Sequence, residues 1–370
     1  MIYLDNAATT LPKPPDVLFA VRRAMETMAS PGRGAHEAAM RAADTVLDCR
    51  TEAAELFHTE EPEQVVFTMN ATHALNISIA SLAHKGSRVL ISGYEHNAVT
   101  RPLHAIGAQV MTAGSKPFAP EMILSDFERK MDEAELVVCT HVSNVFGYVL
   151  PIYEIAELCR RKHVPLIVDA SQSAGVLEVD MRRLGAAFVA MPGHKALFGP
   201  QGTGLLLCGQ KAKPLMFGGS GSNSLLQDMP DDLPDRLEAG THNVPGIAGL
   251  LAGLRFVKER GLEEIAMNER ELTLRMCDRL EDCRDLELFF DPAGRQTGVL
   301  SLRSKHLSSE ALAAQLSSKG ICVRAGLHCA PLAHKSANTI EDGTVRFSFS
   351  VFNDPRQIDA ACHALREICL

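Results

Sequence analysis

Lys195 stands in an unusual place. The apolar run FVAM (188–191) ends at Pro192-Gly193, and His194 and Lys195 follow before a second glycine-rich turn, GPQGTG. A surface lysine needs no such setting, whereas a reacting lysine gains from one, with glycines on either side allowing close backbone approach. Other polar residues also follow short apolar runs. PLIV leads to Asp169, with Gln172 three positions on. LVVCT leads to His141, Ser143 and Asn144, RVLIS to Glu95 and His96, and VVFT to Asn70, Ala71 and Thr72 at a helix start. Taken singly, each has an ordinary reading: Asp169 as a turn or cap residue, His96 as a satisfied surface histidine, Thr72 as a helix cap, Lys195 as a solvated cation. Taken together they offer an amine, a carboxylate, a flat ring and a helix N-terminus suited to phosphate. Pyridoxal phosphate uses these parts: a lysine for the Schiff base, an acid to keep the pyridinium nitrogen protonated, donors for the phosphate and a side chain to stack on the ring. The rival phosphate motifs do not fit. GxxxxGK[ST] is absent, since Ala196 follows Lys195, and GPQGTG has the wrong spacing and context for GxGxxG.

The elements that must position these residues alternate. Helix-like stretches such as HEAAMRAADTVLDCRTEAAELF keep apolar residues at three- and four-residue spacing. Between such stretches lie QVVFT, RVLIS, AQVMT, LVVCTHV, PLIVDAS, AFVAM and TGLLLC. Short buried strands separated by helices predict an α/β fold with a mostly parallel sheet covered on both faces, and ligands collect at the carboxyl ends of such strands. The segment MFGGSGSNSLLQDMPDDLPDR interrupts the pattern, and its acidic stretch from Asp228 to Glu238 reads as a solvated loop. A helix from about Pro245 to Arg260 then leads to a smaller α+β unit containing TGVLSLR, SSEALAAQLSSK, ICVRA and TVRFSFS. We expect a large cofactor-binding domain over 16–256 and a small domain over 257–370, with 1–15 packing near the latter.

Composition narrows the partners. The chain of 370 residues carries 37 basic and 45 acidic residues, a net charge of −8, without a block of like charge. This argues against a nucleic-acid surface. No basic region followed by an apolar one opens the chain, and no run is long enough to cross a bilayer, so a cytoplasmic protein is expected. Ten cysteines are scattered without CxxC pairs, which in a reducing compartment points to small buried side chains rather than disulfides.

With these residues in view, the chain resembles the class V aminotransferase group of fold-type I pyridoxal phosphate enzymes, in the cysteine desulfurase and selenocysteine lyase branch. YLDNAATT, NATHALN, EHNAV, SNVFG, VDASQSAG, GHKALFGPQGTG, EAGTHNVPG, RAGLHCA and GTVRFSFSVFN carry the resemblance, in the family's order. It implies that Lys195 bears the cofactor, Asp169 pairs with the pyridine nitrogen, Gln172 bonds the phenolic oxygen and His96 stacks on the ring and assists proton transfer. Ala71, Thr72 and His194 would hold the phosphate, with Thr241 reaching across a homodimer interface. Asn144 and Arg346 would take the substrate carboxylate, a task that suits the planar guanidinium. On its own, Arg346 reads as a strand residue facing solvent. Many relatives have Ser or Thr where Pro192 stands, and proline supplies neither hydroxyl nor N–H. The phosphate cup therefore loses a donor or recruits one, with GGSGS (218–222) the suggested source.

Cys329 narrows the reaction, since the fold alone does not name it. RAGLHCA resembles the RxGxHxC desulfurase segment on a short, ordered loop. The implied reaction releases sulfur or selenium from L-cysteine or L-selenocysteine, leaving L-alanine, through a persulfide or selenopersulfide on Cys329. Thiols are mostly protonated at neutral pH, so His328 or the cofactor region would activate it, and an acceptor protein would take the sulfur. The other nine cysteines read as buried and structural, and a metal site from His328, Cys329 and His334 lacks further clustered ligands. Two alternatives stay open: an aminotransferase or other β-lyase in which Cys329 is not catalytic, and a non-catalytic scaffold.

Overall fold

The computed structural model describes residues 1–370 except Arg33, Ser115 and Leu370. Seven of the short apolar runs form one sheet. In spatial order they are Val65–Thr68, Gly204–Cys208, Phe188–Pro192, Leu166–Asp169, Leu136–Thr140, Arg88–Ser92 and Gln109–Ala113. Only Gly204–Cys208 runs against its neighbours, so the sheet is mostly parallel, as expected. Successive strand residues point to opposite faces. Leu136, Val138, Ile167, Phe188 and Leu206 therefore enter one apolar layer, and Val137, Cys139, Val168, Val189 and Leu205 enter the other. Helices cover both layers, and each fully buried aliphatic or aromatic side chain contributes on the order of 1.5–3 kcal/mol.

The helix Glu37–Phe57 matches the HEAAMRAADTVLDCRTEAAELF reading, with His36 as its cap accepting from the Ala39 N–H. Val244–Arg260 packs against it and against Pro15–Thr27. A second, antiparallel sheet runs in the order Arg324–Gly326, Thr344–Ser348, Val299–Ser304, Leu286–Phe289. ICVRA is not one strand. Ile321–Cys322 pairs in parallel with Ile2–Tyr3, and after Val323 the chain joins the four-stranded sheet.

The N-terminal segment spans the molecule between that second sheet and the lysine turn. Asn6 Nδ2 and the Ala7 N–H bond Ser348 at 2.9 Å each, and the Ala7 oxygen accepts from Gln172 Nε2 at 3.1 Å. Thr10 Oγ1 donates to the oxygens of His194 and Lys195 at 3.2 and 3.1 Å.

Two expectations need correcting. The acidic stretch is not solvated throughout, because Glu238 is buried against Arg50. Cys322 and Cys369 are partly exposed rather than buried, one on the short two-stranded ladder and the other at the end of the last helix, while seven of the others are buried.

Candidate active site

The carboxyl ends of the parallel strands converge on a cavity of about 190 Å³. Its wall contains Ala71, Thr72, His96, Asn144, Asp169, Gln172, His194 and Lys195, all nominated from the sequence, together with Pro192. Gly193 makes the lysine turn possible. A Cβ there would lie 2.2 Å from Thr203 Oγ1, and the Gly193 N–H donates to the Thr203 oxygen at 2.8 Å. Gly204 plays the same part on the other side, where a Cβ would meet the Asn70 backbone at 2.8 Å.

Burial pulls the Lys195 amine down to about 8, with the Asp169 charge working in the opposite direction. Asp169 is buried at the end of its strand, and its Oδ1 accepts from the Ser171 N–H at 2.9 Å. His96 is partly buried and caps the helix Asn97–Ala105, its Nδ1 accepting from the Ala98 N–H at 3.0 Å. Burial lowers its pKa, opposed by Asp169. His194 is pulled down to about 4 by burial, then by Lys195 and Lys13, and its buried Nδ1 has no partner. Asn70, not Thr72, caps the helix Ala71–Leu82, taking the His73 N–H at 2.9 Å. The first N–H groups of that helix have no intrahelical acceptor and open on the cavity wall at Ala71 and Thr72.

This donor set fits a phosphorylated pyridine aldehyde. An amine whose pKa burial has lowered to about 8, a buried carboxylate beside it, an unpartnered imidazole nitrogen and a helix start are its complementary parts. GGSGS does not line the cavity. It lies beside the Thr241 segment instead, through the Gly240 N–H to the Gly219 oxygen at 2.8 Å.

Arg346 does not face solvent. It is 2% exposed, because every residue of its strand Thr344–Ser348 is covered. Its Nη2 donates to Asp5 Oδ1 at 2.8 Å and its Nη1 to the Asn144 oxygen at 3.0 Å. Asn144 Nδ2 in turn donates to the His328 oxygen at 2.8 Å.

Cys329 is the exposed cysteine. It and His328 both have left-handed backbone, φ 56° and 49°, a conformation that costs a non-glycine residue and persists only where neighbours hold it. The loop is held by Asn144 and by the Asn97 N–H, which donates to the Cys329 oxygen at 2.7 Å. His328 is a poor activator of the thiol. Burial and the Arg346 charge hold it well below its usual pKa, and its Nε2 is engaged by Thr344. Among the described residues, no three His, Cys, Asp or Glu side chains are grouped to hold a metal ion. Within the chain, Thr241 does not join the site. It lines a separate cavity of about 160 Å³ with Phe67, His73, Glu238 and His242.

Two acids have a larger part than the sequence reading gave them. Asp5 was not singled out, although its segment is dense in Asn and Thr. Glu95 was noted but given no role. It is fully buried and pushed up to about 8 by burial, against hydrogen bonds from Ser92 Oγ at 2.5 Å and the Thr140 N–H at 2.8 Å.

Comparison with known proteins agrees with this architecture. The family model for aminotransferase class-V matches residues 2–361. A probable cysteine desulfurase of Pyrococcus abyssi is 31% identical, covering 100% of this chain and 94% of the relative. One from Methanothermobacter thermautotrophicus is 32% identical, with 99% and 94% covered. The apo structure of a cysteine desulfurase from Thermococcus onnurineus NA1 superposes with a TM-score of 0.91 at 29% identity, covering 100% of this chain and 94% of that one.

Proposed function

Because the chain belongs to the class-V aminotransferase family, we propose that it is a pyridoxal phosphate-dependent cysteine desulfurase, taking sulfur from L-cysteine and leaving L-alanine. Relatives named for that activity at about this identity over the whole chain support it. The observation that carries the reading is Cys329: an exposed thiol whose loop is hydrogen-bonded to Asn144 in the cavity wall and to Asn97, the neighbour of His96.

Pyridoxal 5'-phosphate, when bound, supplies an electron sink for the substrate's α-carbon. Lys195 would anchor it, and its amine, with a pKa of about 8, can take the α-proton and return it near neutral pH. Asp169 would hold the pyridine nitrogen and Gln172 the phenolic oxygen, while His96 would cover the ring. Ala71, Thr72 and His194 would cradle the phosphate, the last through its unpartnered Nδ1. Arg346 and Asn144 would fix the carboxylate. Cys329, as thiolate, attacks the substrate sulfur. A sulfur–sulfur bond forms, the carbon–sulfur bond breaks, and its electron pair stays with the carbon skeleton, which gains a proton to become alanine. L-Selenocysteine fits the same residues.

Residues 16–256 would form the cofactor-binding domain and 257–370 the small one. The separation of Thr241 from the Lys195 cavity within one chain supports its reaching a second copy's cofactor in a homodimer, as do the exposed Met69, Met216 and Phe217 in that region of the chain. An acceptor protein would collect sulfur from the exposed thiol. No helix of the described chain is long and apolar enough to cross a membrane, and all ten cysteines are free, which supports a cytoplasmic setting.

A paired assay of alanine formation from L-cysteine and L-selenocysteine, on wild type and Cys329→Ala, tests the reading. Alanine from L-cysteine, lost in the variant, is expected. A keto acid with the pyridoxamine form would make it an aminotransferase, and full turnover by Cys329→Ala would remove the persulfide role.

A further inference from the structure

Arg346 already has a carboxylate beside it. Its Nη2 is bonded to Asp5 at 2.8 Å and its Nη1 to the Asn144 oxygen at 3.0 Å, while its Nε is buried without a partner. Asp5 is thus the counter-ion of this buried guanidinium within the chain. That Nε edge is the one left without a partner among the described residues, and it is covered rather than part of the Lys195 cavity wall.

The main chain of Asp5 is held on both sides. Its backbone bridges Ser348 of the neighbouring sheet, and its oxygen accepts from the Tyr3 hydroxyl and the Ala8 N–H at 3.1 Å each. Arg324 lies directly across the ladder from Arg346 and brings a second positive charge to the neighbourhood. An incoming carboxylate thus meets one anion, carried on a held main chain, and two cations.

We propose that Asp5 is a specificity-determining residue of the carboxylate subsite: it orients Arg346 with its Nε edge left for an α-carboxylate and, as a like charge beside it, limits how tightly that carboxylate is held. The inference rests on Arg346 being the carboxylate site. Substrate and L-alanine carry the same carboxylate, so the moderating charge acts on product release as well as on binding.

The test is binding of L-alanine and of ethylamine, its carboxylate-free analogue, to the cofactor-loaded enzyme by calorimetry. Asp5→Asn keeps the size and an acceptor oxygen but removes the charge. Its affinity for L-alanine is expected to rise by about tenfold, the scale of losing one like charge a few ångströms away in a partly hydrated site. Ethylamine binding stays as in wild type, and KM for L-cysteine falls. If Asp5 only supports the fold, Asp5→Asn weakens both ligands alike, and the inference is overturned. Unchanged L-alanine affinity overturns it too. Arg346→Gln separates the two levels. If it loses the preference for L-alanine over ethylamine, the carboxylate site stands, and Asp5→Asn decides the rest. If it keeps the preference, the Arg346 assignment fails and the Asp5 inference falls with it. Should Asp5→Asn not fold, Asp5→Ser is read in the same way.

Discussion

The main-chain N–H of Asn97 donates to the carbonyl oxygen of Cys329 at 2.7 Å. The residue after His96 and the exposed cysteine are therefore direct partners, although one opens the helix Asn97–Ala105 and the other lies in the loop after the strand Arg324–Gly326. With Asn144 holding the preceding carbonyl, two hydrogen bonds from the cavity side fix the loop backbone and leave the thiol in solvent. A sulfur carrier needs this combination: a fixed reach towards the substrate and an open side towards an acceptor.

The thiol can therefore be removed without disturbing the fold. Cys329→Ala loses no buried packing and keeps both loop carbonyls, so its stability is expected within about 0.5 kcal/mol of wild type in urea. Alanine formation from L-cysteine should fall to background in the same preparation. A large loss of stability would mean that the side chain, not only the backbone, holds the loop.

Asn144 carries the loop from the other side. Asn144→Ala leaves the carbonyl of buried His328 without its donor, which costs about 1–3 kcal/mol, and removes a group from the cavity wall. Amide hydrogen exchange across 327–330 should quicken while the sheet strands stay protected, and KM for L-cysteine should rise. Exchange in the loop equal to wild type would show that the Asn97 bond suffices.

Most of this architecture was legible in the sequence because strand period and strand-end polarity are local signals. Asp169, His96 and Lys195 each follow an apolar run, so their convergence follows from the parallel sheet. On its own, Arg346 reads as facing solvent because its charge partner Asp5 lies more than three hundred residues away in sequence. The burial of Glu238 was hidden for the same reason: it closes an acidic stretch in which Asp231 and Asp232 are exposed, but its partner Arg50 lies on a distant helix. Long-range ion pairs leave no periodic trace in the sequence.

That second pair makes its own prediction. Glu238 takes both guanidinium nitrogens of Arg50, the Phe67 N–H at 2.6 Å and His242 Nε2 at 2.6 Å, and stands three residues before Thr241. Glu238→Ala leaves Arg50 buried and unpaired, a loss of about 3–5 kcal/mol. The double variant with Arg50→Ala should lose less than the two single losses added together, as expected for residues in contact. Additive losses in urea would show that the two side chains act independently.

Lys195 makes the pH prediction, which concerns the apoprotein. Burial holds its amine at about 8, against roughly 10.4 in an unfolded chain. Below pH 8 the amine is charged in both states, and carrying that charge into the site costs stability. Between about pH 8 and 10.4 the unfolded chain binds a proton that the folded one does not, so this penalty fades as pH rises. Lys195→Met removes the charge at every pH. Its apoprotein should be more stable than wild-type apoprotein at pH 7, and the advantage should shrink by pH 9.5, with other titrating groups cancelling between the two proteins. Urea unfolding of both at the two pH values measures this. An advantage that grows with pH would have the wrong sign for a buried amine and would place the Lys195 side chain outside the cavity.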